Sequence, residues 1–405
     1  NMKYLAVLGH QPKISLAELE SLFENVRTLG TELAEFETKE TPDIRRLGGS
    51  QKLAVEISGP VVEFLKTLPQ DKKITLGVSD FSRGANAFGA QKEALKLKRI
   101  MVKLGYSVRV VPNKAATLSS ATSFHNHLFD ENKVELIKSG KKYYRVIGVQ
   151  NIDAYVRRDQ ARPARDAKVG MLPPKLAQIL INLCGDLPAG SRLLDPFCGT
   201  GVVLQEAALM GYIPYGTDLS ERMVEYSRKN LGWLLSGNRH SSSQELCYDQ
   251  RGAPKCSSAR NDGPEQTCSE KSWDWSPERS CAQGDATSYQ WQPPINAVAC
   301  EGYLGQPMSL PPAEIKLKQE KQECGNIVLG FLKNLAEQIE PSTSVVIAVP
   351  AWLRPNGEYE RLNLLDEIKN LGYNVKSFRN LGQKDLLYHR EQQVVAREII
   401  VLRKK

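Results

Sequence analysis

LLDPFCGTGVVLQEAALMGYIPYGTDLS, residues 193–220, decides the fold. An apolar run, Leu193-Leu194, ends in Asp195. The turn Phe197-Cys198-Gly199-Thr200-Gly201 then leads at once into GVVLQEAALMG, which reads as a helix. Glycine permits close backbone approach to a ligand, and a helix N-terminus offers N–H groups that have no partner inside the helix. YIPYGTD follows as a second strand ending on Asp218, a position from which a carboxylate accepts hydrogen bonds from ribose hydroxyls. The glycine spacing is G-x-G, without the third glycine of a dinucleotide fingerprint, and no P-loop lysine follows. A third carboxylate, Asp285 in GDAT, ends another short strand and offers a place to hold an adenine.

Outward from this stretch, strands and helices alternate. PKLAQILINLC starts a helix with prolines in its first turn. SERMVEYSRKNLGWLL is a helix, INAVACE a strand, NIVLGFLKNLAEQI a helix and SVVIAVPAW a strand. LNLLDEIKNLG, YNVKSF and QVVAREIIVLRK continue the pattern, and alternation on this scale predicts a doubly wound α/β sheet. The alternation is interrupted over 236–282 by a polar Ser/Gly/Pro-rich stretch without periodicity, read as a long insertion. Its cysteines, Cys247, Cys256, Cys268 and Cys281, form no C-x-x-C pair and match no common zinc module.

Residues 1–152 read differently, as an α+β region. MKYLAVLG is a strand, ISLAELESLFENV a helix capped by Ser15, and KLAVEIS a further strand. In AQKEALKLKRIMVKLGYSVRVVP, Leu97, Ile100, Met101 and Leu104 share one helical face and basic residues occupy the rest. KYYRVIGVQNI is another strand, and the Arg- and Pro-rich stretch 153–175 reads as a linker to the domain at 176–405. Between residues 81 and 175 there are 19 Lys/Arg against 7 Asp/Glu, a larger excess than the +8 of the whole chain. Such asymmetry fits a nucleic-acid-facing module, since Lys and Arg displace counterions from phosphates; a solvated basic surface fits it equally. No stretch is long and apolar enough for a membrane span, and NMKYLAVLGHQP has no signal-peptide cleavage pattern. Eight cysteines in 405 residues, several inside apolar segments, point to a reduced, cytoplasmic protein.

DPFCGTG followed by GTDLS resembles motif I and the acidic loop of S-adenosylmethionine-dependent methyltransferases. With RPARDAKVGMLPPKLAQILINL just upstream, the chain more narrowly resembles the tRNA guanine-N2 methyltransferases that act on position ten. RLGGSQKLA, LGVSDF and the basic helix before YSVRVV resemble a THUMP RNA-binding domain and the segment preceding it. The resemblance implies a Rossmann-like methyltransferase domain behind a THUMP-containing half, S-adenosyl-L-methionine as cofactor, and tRNA as partner. Carried over by position, Asp195, Phe197, Gly199 and Gly201 line the methionine and ribose end of the cofactor. Asp218 takes the ribose hydroxyls and Leu219 lies against the adenine. Asp285 and Ala286 flank that ring, and Met171, Leu172 and Pro174 close the pocket. Lys96, Arg99, Lys103 and Arg109 are expected RNA contacts. Arg157, Arg158, Arg162 and Arg165 are a second set, with linker salt bridges as the competing reading.

The class normally carries Asp or Asn, then Pro-Pro-Tyr, at the end of its fourth strand. The candidate here is Cys300-Glu301-Gly302-Tyr303-Leu304-Gly305: Glu301 fills the acidic slot and Tyr303 the stacking face, but both prolines are missing. A side-chain oxygen at this place accepts from the target amine and directs its lone pair, so Glu301 and Tyr303 are the expected catalytic residues. No metal and no covalent intermediate are required. The alternatives are a methyltransferase acting on another RNA or on DNA, and a non-catalytic RNA-binding protein that keeps the cofactor fold. Cys198 and Cys300 read as packing residues; Trp352 and His389 as either packing or surface residues or RNA contacts.

Overall fold

The computed structural model describes residues 1–166, 171–237, 276–391 and 393–405. The chain divides into two compact units, Asn1–Tyr155 and Val156–Lys405. Among the described residues no helix is long and apolar enough to cross a membrane.

The first unit comprises β1 (Met2–Leu8), α1 (Pro12–Leu22), β2 (Glu24–Leu29), β3 (Leu33–Thr38), β4 (Ser50–Glu56), α2 (Val61–Lys66), β5 (Ile74–Asp80) and α3 (Ala87–Lys103). β6 (Val108–Val110), α4 (Ser120–His125), β7 (Lys133–Ser139), β8 (Lys142–Val149) and the start of α5 (Ile152–Gln160) complete it. Its strands form one sheet in the order β2-β3-β1-β4-β8-β7-β5-β6. β5 runs parallel to both β6 and β7, and the other neighbours are antiparallel. Helix α3 is capped by Asn86, whose Oδ1 accepts the Gly89 N–H at 2.9 Å. It buries Ala90, Ala94, Leu97 and Met101, the last three against Leu76, Val78 and Leu136.

Three expectations need correcting here. The apolar face of α3 runs through Ala90 and Ala94 rather than on to Leu104, which is exposed just past the last turn. Ser15 is no cap: α1 starts at Pro12, and the Ser15 hydroxyl donates to the Gln11 carbonyl at 3.0 Å. FENV leaves the helix because Phe23 stacks on Phe36 and β2 begins at Glu24.

The second unit comprises the remainder of α5, α6 (Pro174–Leu183), β9 (Arg192–Asp195), α7 (Val202–Leu209), β10 (Ile213–Asp218), α8 (Glu221–Gly237), β11 (Cys281–Gln283), β12 (Ala297–Glu301) and α9 (Glu314–Ala336). β13 (Ser344–Leu353), β14 (Tyr359–Arg361), α10 (Leu365–Asn370), β15 (Tyr373–Val375), β16 (Leu387–Tyr388) and β17 (Val395–Lys404) follow. The main sheet has the order β11-β10-β9-β12-β13-β17-β15, with β14 and β16 as side strands. β9 to β13 are parallel to one another, whereas β17 is antiparallel to both neighbours. Buried on both faces, the central strands read as near-continuous apolar runs, as such strands must. The expected doubly wound sheet is therefore present.

Two stretches differ from expectation. The segment read as a linker begins inside α5, and Arg162 and Ala164 are buried within the second unit. The end of the expected insertion is sheet: Cys281 lies on β11, buried, and pairs with Gly216 of β10. Cys247, Cys256 and Cys268 lie outside the described residues. Cys184, Cys198, Cys281, Cys300 and Cys324 are buried free thiols.

Candidate active site

The chain leaves β9, adds β10 and β11 on one side, then crosses to β12 and β13 on the other. This makes β9 and β12 the topological switch point, and the crevice beyond the carboxyl ends of such strands is where α/β sheets bind ligands. Asp195 ends β9 and Glu301 ends β12. Leu194 pairs with Val298, so Glu301 projects beyond Asp195 at the same edge.

The turn after β9 is held from several sides. Asp195 Oδ1 accepts the Phe197 N–H at 3.1 Å, and the Cys198 N–H donates to the Thr217 carbonyl at 2.9 Å. Asp218 Oδ2 accepts the Gly199 N–H at 2.9 Å, while its Oδ1 accepts the Ser220 N–H at 2.9 Å. Gly201 is the left-handed N-cap of α7 (φ +82°), and a Cβ there would stand 2.8 Å from the Ser227 hydroxyl. Only glycine meets both demands. Asn230 of α8 ties the turn to the upstream segment: its Nδ2 donates to the Ala164 and Thr200 carbonyls, and its Oδ1 accepts the Ala164 N–H.

The site is acidic. Burial pushes the Asp195 carboxyl well above the usual carboxylate range; the Phe197 N–H opposes this and the negative charges of Asp218 and Glu301 reinforce it. Burial also raises Asp218, against the pull of its two N–H donors, and Glu301, against the pull of Arg397. Among the described residues no group of three or more His, Cys, Asp or Glu is placed to hold a metal ion.

Leu219, beside Asp218, is 70% exposed, an apolar face next to a hydrogen-bonding carboxylate. The Asp218 carbonyl accepts the Gly284 N–H at 2.9 Å, which brings the Asp285 loop alongside. The Asp285 carboxylate is engaged locally, accepting the Thr287 N–H and hydroxyl at 2.9 and 2.7 Å, and these bonds hold it below its ordinary range. It follows β11 rather than ending it. Ala286 is buried, and its carbonyl accepts from Asn334 of α9. Leu172 and Pro174 are buried at the start of α6, and the Met171 sulfur lies 3.2 Å from an Arg162 nitrogen.

At the β12 end, Glu301 Oε1 accepts a hydrogen bond from Nε of Arg397, a β17 residue far away in sequence and without any local signal. The Gly302 N–H donates to the Ala348 carbonyl at 2.9 Å. Tyr303 is half-buried and packs against the core that includes α9, and its hydroxyl accepts from Gln306 at 3.2 Å. Gly305 (φ +81°) and Gln306 lie against Glu320 of α9, whose carboxylate accepts the Gln306 N–H at 3.2 Å. Cys300 and Cys198 are buried, in keeping with packing roles. Trp352 is fully buried in the core and cannot stack on a base. The His389 ring tilts against Tyr359.

Of the expected RNA contacts, Lys96, Arg99, Lys103 and Arg109 are exposed in the first unit, and Arg157 and Arg165 are exposed in the second. Arg158 and Arg162 are corrections. Arg158 is engaged by the buried carboxylate of Glu206 at 2.7 Å, and the Arg162 side chain is fully buried beside Asp159.

Residues 160–246 match the family UPF0020, described as an RMKL-like methyltransferase domain. A protein of Methanothermobacter thermautotrophicus named tRNA (guanine(10)-N2)-dimethyltransferase is 51% identical over 75 residues, 18% of this chain and 22% of its own length. A protein of the same name from Pyrococcus abyssi is 26% identical over 239 residues, 57% of this chain and 67% of its own. The chain thus spans from about a fifth to two thirds of the length of these relatives. Among solved structures, TrmN from Thermus thermophilus aligns at 16% identity with a TM-score of 0.46, covering 100% of both chains.

Proposed function

We propose that the chain is an S-adenosylmethionine-dependent RNA methyltransferase acting on the exocyclic N2 amine of a tRNA guanine, the reaction its relatives' names describe. One observation carries this reading: the glycine turn with Asp218 and the carboxylate of Glu301 share one edge of the sheet, on the two sides of its switch point. The residues fit the cofactor. Gly199 leaves room beside the backbone, Asp218 offers carboxylate oxygens to hydroxyls, and Leu219 offers an apolar face. When bound, S-adenosylmethionine supplies an electrophilic methyl group on a sulfonium.

The protein's part is positioning and charge. Asp195, Asp218 and Glu301 gather carboxyl groups at the crevice, which suits a cationic ligand. Glu301 accepts an N–H of the amine and fixes the direction of its lone pair, while Tyr303 offers a ring face to the base. Once alkylated, the amine is acidic and loses its proton without a dedicated strong base. Lys96, Arg99, Lys103 and Arg109 hold the RNA backbone from the first unit, read as THUMP-containing; Arg157 and Arg165 add cations nearer the methyltransferase fold. Reduced cysteines and a tRNA substrate support a cytoplasmic location.

Nucleoside mass spectrometry of unmodified tRNA after reaction with the protein tests this. N2-methylguanosine is expected. Protein that binds S-adenosylhomocysteine by calorimetry yet leaves every tRNA guanine unmethylated would sink the reading in favour of a binding module.

A further inference from the structure

The register of the sheet places Glu301, Ala348, Pro350 and Arg397 on one face. Glu301 pairs with Ala348 across β12 and β13, and Pro350 with Arg397 across β13 and β17. Between the two charged residues the strand presents Ala348 and Pro350, and Arg397 reaches across it to Glu301 Oε1. Arg397 is nearly buried, with a side chain 5% exposed, whereas that of Glu301 is 15% exposed at the crevice. Among the described residues, Glu301 Oε2 has no hydrogen-bond partner. One oxygen is therefore clamped from below and the other is left for a ligand. No proline stiffens residues 301–306, so the direction of the carboxylate must come from such contacts.

We propose that Arg397 is a positioning residue for the transfer reaction: it holds and aims the Glu301 carboxylate through Oε1, with Oε2 left to accept the target amine. This rests on the reading that Glu301 meets the amine. The charged and titratable groups facing Glu301 are Arg397 from β17, Asp195 from β9 and the adjacent Cys300 thiol. Of these only Arg397 favours the ionised form. Burial acts the other way. A protonated Glu301 would present an O–H and lose acceptor capacity at the site.

Two measurements on the full chain test this. The first is the pH profile of kcat for methyl transfer to unmodified tRNA, for wild type, Arg397→Gln and Arg397→Lys. Arg397→Gln should move the acid limb to higher pH by at least one unit, lowering kcat about 10-fold or more on that limb, with recovery at alkaline pH. Arg397→Lys should be intermediate, because it restores the charge without the planar guanidinium. Binding of S-adenosylhomocysteine should stay within about twofold of wild type, since Arg397 does not touch the glycine turn. The second is the 13C titration of the Glu301 carboxyl, assigned by difference from Glu301→Gln, which should move upward in both Arg397 variants and needs no activity. An unmoved carboxyl titration, or an Arg397→Gln enzyme with a wild-type kcat profile, overturns the proposal; if Arg397→Gln does not fold, Arg397→Lys decides by the same criteria. Wild-type transfer by Glu301→Ala, which removes the acceptor oxygens, would instead overturn the underlying reading of Glu301.

Discussion

Asp195 is a carboxyl where burial opposes the charged form. The residue is 2% exposed, its hydrogen bond among the described residues comes from the Phe197 N–H, and two other carboxylates lie within its field. Its folded-state titration is therefore raised above the value of about 3.9 in the unfolded chain. For a carboxyl raised on folding, the native state binds more protons than the unfolded one between the two values, so stability falls as pH rises through that window. Asp195→Asn keeps an oxygen for the Phe197 N–H and removes the charge. The variant should gain about 1–3 kcal/mol over wild type above the raised titration, or a few degrees in Tm, and lose the advantage towards pH 4. Calorimetric Tm against pH reads this directly, and a constant difference at all pH values would show that charge burial is not the cause. The same substitution should weaken S-adenosylhomocysteine binding by about tenfold or more, a trade of function for stability of the kind expected where a charge is retained in a site.

At the scale of elements, the glycine turn is only as rigid as the helix behind it. Asn230 on α8 is buried and closes three hydrogen bonds, to both backbone groups of Ala164 and to the Thr200 carbonyl. Asn230→Ala would strand all three, at about 1–3 kcal/mol for each group that water cannot reach. A loss of about 2–4 kcal/mol in urea unfolding is expected, with weaker S-adenosylhomocysteine binding as the turn loosens. A stability within about 0.5 kcal/mol of wild type, the usual range for a surface change, would mean that water satisfies the stranded groups. This strut also marks what the sequence reveals and what it hides. The strand–turn–helix at 193–209 and the carboxylates closing β9 and β10 are local patterns, so they are legible from residue types and spacing. β11 is only partly legible: a short strand before Asp285 is read from the residues, but its place at Cys281–Gln283, inside the polar stretch, follows from the pairing edge that Gly216 and Asp218 offer. Arg397, Asn230 and Glu320 reach the site from β17, α8 and α9 by tertiary contact, and nothing in their own neighbourhood announces it. Arg158 and Arg162 mislead for the same reason. A basic Pro-containing stretch reads as exposed until the buried Glu206 that draws Arg158 in is placed beside it.

At the scale of the whole molecule, charge and chemistry are divided along the chain. The first unit has its own apolar core under α3 and carries Lys96, Arg99 and Lys103 on the exposed side of that helix, at spacings that keep them on one face. The second unit has its own core around β12, β13 and α9, together with the acidic crevice. A polyanion would be repelled by the carboxylates that suit a cationic cofactor, so its affinity has to come from cations outside the crevice. Replacing Lys96, Arg99 and Lys103 together by Ala should leave S-adenosylhomocysteine binding unchanged, because none of the three lies in the unit that carries the glycine turn. Folding stability should also hold, since all three side chains are exposed. Binding of tRNA should weaken, and the slope of log affinity against log salt should flatten by about 2–3, roughly 0.7–0.9 for each phosphate that is no longer neutralised. In steady-state transfer the penalty should fall on KM with kcat retained, as for interactions made equally in the ground and transition states. A salt slope identical to wild type would move the RNA-binding surface away from α3. It would leave Arg109 on β6 and the exposed Arg157 and Arg165 to carry it, which the same titration on those three variants would then resolve.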